Sequence, residues 1–297
     1  MTDSGVSLRA IGYIIFGAAM VSFTSVLVEL ANVGPTVSAF YRMLFGGFIL
    51  LGITIVKRDT LWFGIKSLAI PFVCAFLFSM DLFFWHRSII FVGPGLATIL
   101  GNMQVFFVAI LAVLFLKEKL GWRLLVAIPF AVVGLFMIVR TGWGERGGAV
   151  EMGVFYGLLT ALTYALYILT LRKSQSSGYE LRFSLIPNMM WISLMSAALL
   201  GITVVIEPGA HFSIPDLQTW WALIGLGIVG QVLGWVFISK GLPQVNASVA
   251  GLALLLQPAL AFGWDILFFD RPTTMLEYLG AAVVLAAIYL GATKTKK

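Results

Sequence analysis

The chain has 297 residues, 60% of them hydrophobic and 11% charged, with a formal net charge of +6. A soluble protein carries roughly a quarter charged residues, so this is not the composition of a water-soluble domain. The basic residues are scattered over loop after loop, which excludes a nucleic-acid surface, and a single cysteine, Cys74, excludes an intrachain disulfide and any Cys/His metal spacing.

Ten apolar segments follow one another, each close to the roughly 20 residues that a helix needs to cross a bilayer. They predict an all-α polytopic membrane protein with ten transmembrane helices, at about 9–29, 36–56, 67–91, 95–116, 121–139, 152–171, 183–206, 217–239, 246–269 and 275–292. The first has no basic stretch before Arg9 and exceeds the about 7–15 apolar residues of a signal peptide, so it reads as a span. It carries Ser22, Thr24 and Ser25, and Asn32-Val33-Gly34-Pro35 separates it from the second, which holds Arg42. The third carries Asp81, Trp85, His86 and Arg87 and ends at the breakers Val92-Gly93-Pro94-Gly95. The fourth carries Thr98, Asn102 and Gln104; the fifth is short, with Arg123 near its start. After a polar linker, the sixth carries Thr163, Tyr164 and Tyr167. Glu207-Pro208-Gly209 follows the seventh, and the eighth carries Gln231 and Trp235 before Leu242-Pro243-Gln244. The ninth holds Gln257 and Asp265, and the tenth is rich in Gly and Ala.

Lys and Arg in short loops set orientation. With the N-terminus in the cytoplasm, the inner segments hold fourteen: Arg9, Lys57, Arg58, Lys66, Lys117, Lys119, Arg123, Arg172, Lys173, Arg182, Lys240, Lys294, Lys296 and Lys297. The outer segments hold three, Arg140, Arg146 and Arg271. Both termini then lie on the cytoplasmic side of a cell inner membrane. The fourth span ends in Phe115-Leu116-Lys117-Glu118 and the ninth in Phe268-Phe269-Asp270-Arg271, each followed by a short loop and a Gly/Ala-rich span. Gln104 lies 14 residues before Glu118, and Gln257 lies 13 before Asp270. Such pairs predict a first five-helix repeat at 1–140, a linker at 141–151 and a second repeat at 152–297. Five is odd, so two like units in series sit upside down to each other, the build of a carrier that opens to either side of a central site.

The pattern resembles the drug/metabolite transporter superfamily, in its ten-span EamA type. The residues that carry the resemblance are Glu118 ahead of Gly134 in the first half, Gln257-Pro258 leading to Asp270 and Gly280 in the second, and the Arg of Ala39-Phe40-Tyr41-Arg42-Met43-Leu44. It covers the full length. Asp270 stands where the family usually has Glu, and Val105 where the first half often has Pro. Within the superfamily the chain is most similar to YddG-type exporters, and this likeness implies export of aromatic and other neutral amino acids.

An ionisable group in hydrocarbon costs about 2.5–3.5 kcal/mol on insertion scales, so each needs a reason. Asp81 has two readings: an ion pair with Arg42 or Arg87 that neutralises both charges, or a carrier of substrate or a coupling proton. His86 has a packing role or a substrate and proton role, and Arg42 ties helices together. Asn102, Gln104, Tyr164, Tyr167, Gln231 and Gln257 either bond between helices or line a polar, aromatic cavity. Asn102 and Gln104 lie about 200° apart on a helix and do not share a face. Trp85 lies four residues from Asp81 and Trp235 four from Gln231, so each shares its neighbour's face and is a candidate to stack on a substrate ring. Spans three and eight are expected to meet across the centre.

A secondary transporter for a small metabolite follows, exporting by alternating access, either coupled to protons or as an uncoupled facilitator. No P-loop is present, so this chain does not hydrolyse ATP. No metal, cofactor or nucleophile motif supports an intramembrane transferase, and no ring of like charges supports a channel. The expected partners are a small-molecule substrate, membrane lipid and protons, in a monomer that binds no nucleic acid.

Overall fold

A computed structural model describes residues 8–62, 64–139, 150–175, 183–270 and 272–292. Arg140, Trp143, Arg146, Arg182, Arg271, Lys294, Lys296 and Lys297 lie outside these residues, as does the expected linker except its last two positions, which already belong to α6. The described chain is all-helical: α1 (Leu8–Leu30), α2 (Pro35–Val56), α3 (Ala69–Asn102), α4 (Gln104–Leu116), α5 (Trp122–Val139), α6 (Val150–Ser174) and α7 (Leu185–Ile206). The eighth span opens with α8 (Leu217–Gly225), winds as a π-helix over Leu226–Trp235 and closes with α9 (Val236–Gly241). The ninth is α10 (Ala247–Ala253) and α11 (Leu256–Phe269), and the tenth is α12 (Met275–Ala292). Eight spans are long and apolar enough to cross a bilayer, and Trp122–Ile138 and Met275–Gly291 are shorter apolar helices. Helices suit this solvent because each satisfies its own backbone where no water can.

The third and fourth spans turn back where the Gly-Pro-Gly break was expected, although helical bonding runs through α3. A Cβ at Gly157 would lie 2.5 Å from Leu100 Cβ and 3.1 Å from Ser88 Oγ. Twelve residues of straight helix would hold Leu100 and Ser88 about 18 Å apart. Two breaks were not expected. The fourth span kinks at Met103 and the ninth at Leu254 and Leu255, each just ahead of a glutamine, Gln104 or Gln257.

The halves are related as inverted repeats, most visibly where α5 crosses α12. A Cβ on Gly134 would meet Gly280 O at 2.7 Å, and one on Gly280 would meet Gly134 O at 2.6 Å. Such reciprocity is the mark of a two-fold relation. The structure also shifts the register of the repeat by one residue. Lys117 and Asp270 both end their helices in the left-handed region, at φ 53° and 47°, and each lies 13 residues after its glutamine. Asp270 therefore corresponds to Lys117, and the position corresponding to Glu118 is Arg271. One face gathers Lys57, Arg58, Lys117, Lys119, Arg172 and Lys240, and is called the basic face below.

Candidate substrate site

Seven of the expected residues meet near the centre. Arg42 on α2 and Asp81 on α3 attract each other, and the hydroxyls of Tyr164 and Tyr167 on α6 share their field. Among the described residues no salt bridge joins Arg42 to Asp81, so the expected pair takes the form of attraction without direct contact. The guanidinium lies over Gly230 of the π-helix, where a Cβ would come 3.1 Å from Nε. Arg42 Nε and Nη2 are buried without a hydrogen-bond partner. These two nitrogens form the side-on edge of the guanidinium, whose parallel N–H bonds match the two oxygens of a carboxylate.

Trp235 closes the site from the eighth span. It is 2% exposed and meets Tyr167 at 5.0 Å, Tyr164 at 6.1 Å and Phe78 at 5.6 Å, all edge to face. Its Nε1 has no partner. Gln257 Nε2 stands 3.5 Å from the Tyr164 hydroxyl. Gln231 Nε2 donates to Ser193 Oγ at 2.8 Å, while its Oε1 is buried without a partner. π-helical turns are rare and concentrate at functional sites, and this one carries both Gln231 and Trp235.

The remaining expected residues lie elsewhere. The Trp85 ring lies 5.3 Å from His86, tilted against it, and a Cβ at Gly101 would lie 3.8 Å from Trp85 Cδ1, so this ring packs at the hairpin of α3. His86 Nδ1 shares a 3.1 Å hydrogen bond with Thr36 Oγ1. Thr36 in turn lines a cavity of about 340 Å³ on the face opposite the basic one, between 32–37 and the 207–215 loop that holds His211. Asn102 donates to Thr98 O at 2.8 Å within its own helix, and Gln104 donates across the repeats to Gly251 O at 3.1 Å. Sequence reasoning missed Phe78, Ser193 and Gly230. Phe78 precedes Asp81 by three residues, one helical turn, which was the signal that it shares that face. Gly230 stands in a Gly-x-x-x-Gly pattern that by itself signals close helix packing, and nothing in the sequence marks Ser193.

At the basic face the repeats are joined. Glu118 accepts from Ala247 N–H at 2.8 Å, Ser248 N–H at 3.3 Å and Ser248 Oγ at 3.0 Å. Arg172 Nη1 lies 3.4 Å from Glu118, and its Nε donates to Leu242 O at 3.1 Å.

The EamA-like transporter family model matches residues 8–140 and again 151–293. The chain belongs to the EamA-like transporter family. It is 24% identical to an uncharacterized transporter of Archaeoglobus fulgidus over 91% of this chain and 92% of that one. It is 28% identical to the pseudopaline exporter CntI of Pseudomonas aeruginosa over 67% and 66%, and 23% identical to a probable amino-acid metabolite efflux pump of Escherichia coli over 66% and 66%. A solved crystal structure superposes with a TM-score of 0.79 at 14% identity, covering 96% of both chains, and so shares the fold. This EamA-like transporter is a multi-pass membrane protein that acts on a small molecule, and the names of its relatives are those of transporters and not of enzymes.

Proposed function

We propose that this EamA-like transporter exports amino acids, aromatic and other neutral ones, or closely similar zwitterions. The observation that carries the reading is the buried, unpartnered side-on edge of Arg42, in the field of Asp81, which makes no salt bridge among the described residues. An amino acid supplies a carboxylate for the first and an ammonium for the second, and its side chain faces the rings of Trp235, Tyr164 and Tyr167. Each charge then meets its complement inside hydrocarbon, where an isolated one is costly. The names of the pseudopaline exporter and the amino-acid metabolite efflux pump support the direction and class. Asp81 is the candidate carrier of a coupling proton; uncoupled movement is the alternative. The basic face is assigned to the cytoplasm of the inner membrane, both termini with it, and the protein acts as a monomer.

The test is counterflow in proteoliposomes, with phenylalanine, tryptophan and smaller neutral amino acids offered with and without a pH gradient. Protein-dependent exchange is expected, with Asp81→Asn abolishing any dependence on the gradient. Absence of movement for every amino acid would sink the reading.

A further inference from the structure

The two glutamines at the span kinks stand in inequivalent positions, although the repeat makes them equivalent. Gln104 and Gln257 are 153 residues apart, and so are Thr98 and Gly251. In the ninth span the kink leaves one carbonyl uncommitted. Leu254 N–H bonds to Ala250 O and Leu255 N–H steps back to Leu252 O, so Gly251 O lacks its usual donor four residues on. Gln104 supplies that donor from the other repeat, at 3.1 Å. The mirrored bond, Gln257 to Thr98 O, is not made. Thr98 O accepts from Asn102 instead, and the Gln257 amide lies 3.5 Å from Tyr164 in the substrate site.

We infer that Gln104 and Gln257 are alternating clasps of the transport cycle, positioning residues that hold opposite faces shut in turn. In this state Gln104 clasps α4 to α10 and the basic face is closed, with Val108 packed on Gly251 beside the bond. In the opposite state Gln257 takes Thr98 O, displacing Asn102, and Gln104 lets go of Gly251. The exchange trades one amide–carbonyl bond for another, so the amides contribute little to the difference between the two closed states. Glu118 adds a second latch at the basic face, where it accepts from the N-terminus of α10. Its counterpart in sequence, Arg271, has no acceptor for such a bond, and the repeats are joined at the opposite face by other residues, Asn32 donating to Asp216 at 2.9 Å. The inference goes beyond the substrate reading and needs no substrate to be tested.

Spin labels on Lys119→Cys and Gln244→Cys, both exposed at the basic face, report the gap that the clasp closes; the one native cysteine, Cys74, is buried. Glu118→Gln serves as the background, because a weakened latch makes both states measurable. Adding Gln104→Leu, or Asn102→Leu to remove the side-chain donor that competes for Thr98 O, should raise the long-distance population roughly threefold, the change that one interhelical hydrogen bond of average strength carries. Adding Gln257→Leu should lower it by a similar factor. Opposite shifts are the signature, since loss of packing alone would move both glutamine variants the same way. Shifts in one direction, or none, would overturn the proposal. If Gln104→Leu does not fold, Asn102→Leu against Gln257→Leu gives the same contrast. A native protein that moves no amino acid would count against the proposed substrate and leave these distances unaffected.

Discussion

At the scale of single residues, Arg42 and Trp235 carry the argument. Lysine offers a point charge without the parallel N–H pair of a guanidinium. Arg42→Lys should therefore lower kcat/KM for the transported amino acid at least about tenfold while leaving the yield of folded protein near native. Initial uptake rates read beside size-exclusion profiles check this. Trp235 is enclosed by three rings and 2% exposed, so it contributes to the fold as well as to the site. Trp235→Ala is expected to cost about 3–5 kcal/mol of stability together with transport. Trp235→Phe keeps the ring contacts and deletes only the unpartnered Nε1–H. It should hold the melting temperature within a few degrees and raise KM about threefold. Outside the membrane, Asp216 caps α8 by accepting from Thr219 N–H at 2.7 Å and from Asn32 Nδ2 at 2.9 Å. The Asn32 amide first, and the Thr219 backbone second, hold its carboxyl below the usual range. Its contribution is complete above the unfolded value near 3.9 and is lost as pH falls through the lower folded value. Protection from hydrogen exchange at 217–219, relative to the intrinsic rate at each pH, should fall only below about pH 4, and Asp216→Asn should remove that dependence.

At the scale of elements, the π-helix at Leu226–Trp235 brings Gly230 under the guanidinium. A Cβ there would come 2.7 Å from Thr24 Cγ2 as well as 3.1 Å from Arg42 Nε. Overpacking of this kind costs about 1–3 kcal/mol. Gly230→Ala should lower both the melting temperature and transport, and Thr24→Ser, which removes the nearer methyl, should restore part of each. The spans and most breaks were legible in the sequence because hydropathy and Gly/Pro punctuation are local. Gln231 and Trp235 could be placed on one face by spacing alone. The π winding could not be read, since no residue between 226 and 235 forbids α geometry; close packing of Gly227, Gly230 and Gly234 against α1 and α2 accompanies it. Nor could the kink ahead of Gln257, whose neighbours Leu254 and Leu255 are good helix formers. What shows it is the Gln104 amide arriving from 147 residues away. From charge alone Asp81 could pair with Arg42 or Arg87 or carry substrate or a proton, and only the placement of α2 and α3 shows that, among the described residues, no salt bridge joins it to Arg42.

At the scale of the whole molecule, two repeats of odd span number fold into one body around a site to which both contribute. Arg42 and Asp81 come from the first repeat, and Tyr164, Tyr167, Trp235 and Gln257 from the second. The reciprocal contact of α5 with α12 gives a symmetric prediction. Gly134→Ala and Gly280→Ala should each lower thermal stability by a similar amount, about 1–3 kcal/mol, because each pushes a methyl onto the other helix's carbonyl. Unequal losses in detergent melting curves would show that the two-fold relation is broken at that crossing. At that crossing each glycine meets the other helix's backbone carbonyl, with the Val284 and Met137 side chains beside it, and neither helix carries a residue of the substrate site. This glycine crossing and the proposed cargo pocket are thereby written in separate stretches of chain. A change of cargo can therefore be made by substitutions in α2, α3, α6 and the eighth and ninth spans that leave the packing of α5 on α12 untouched.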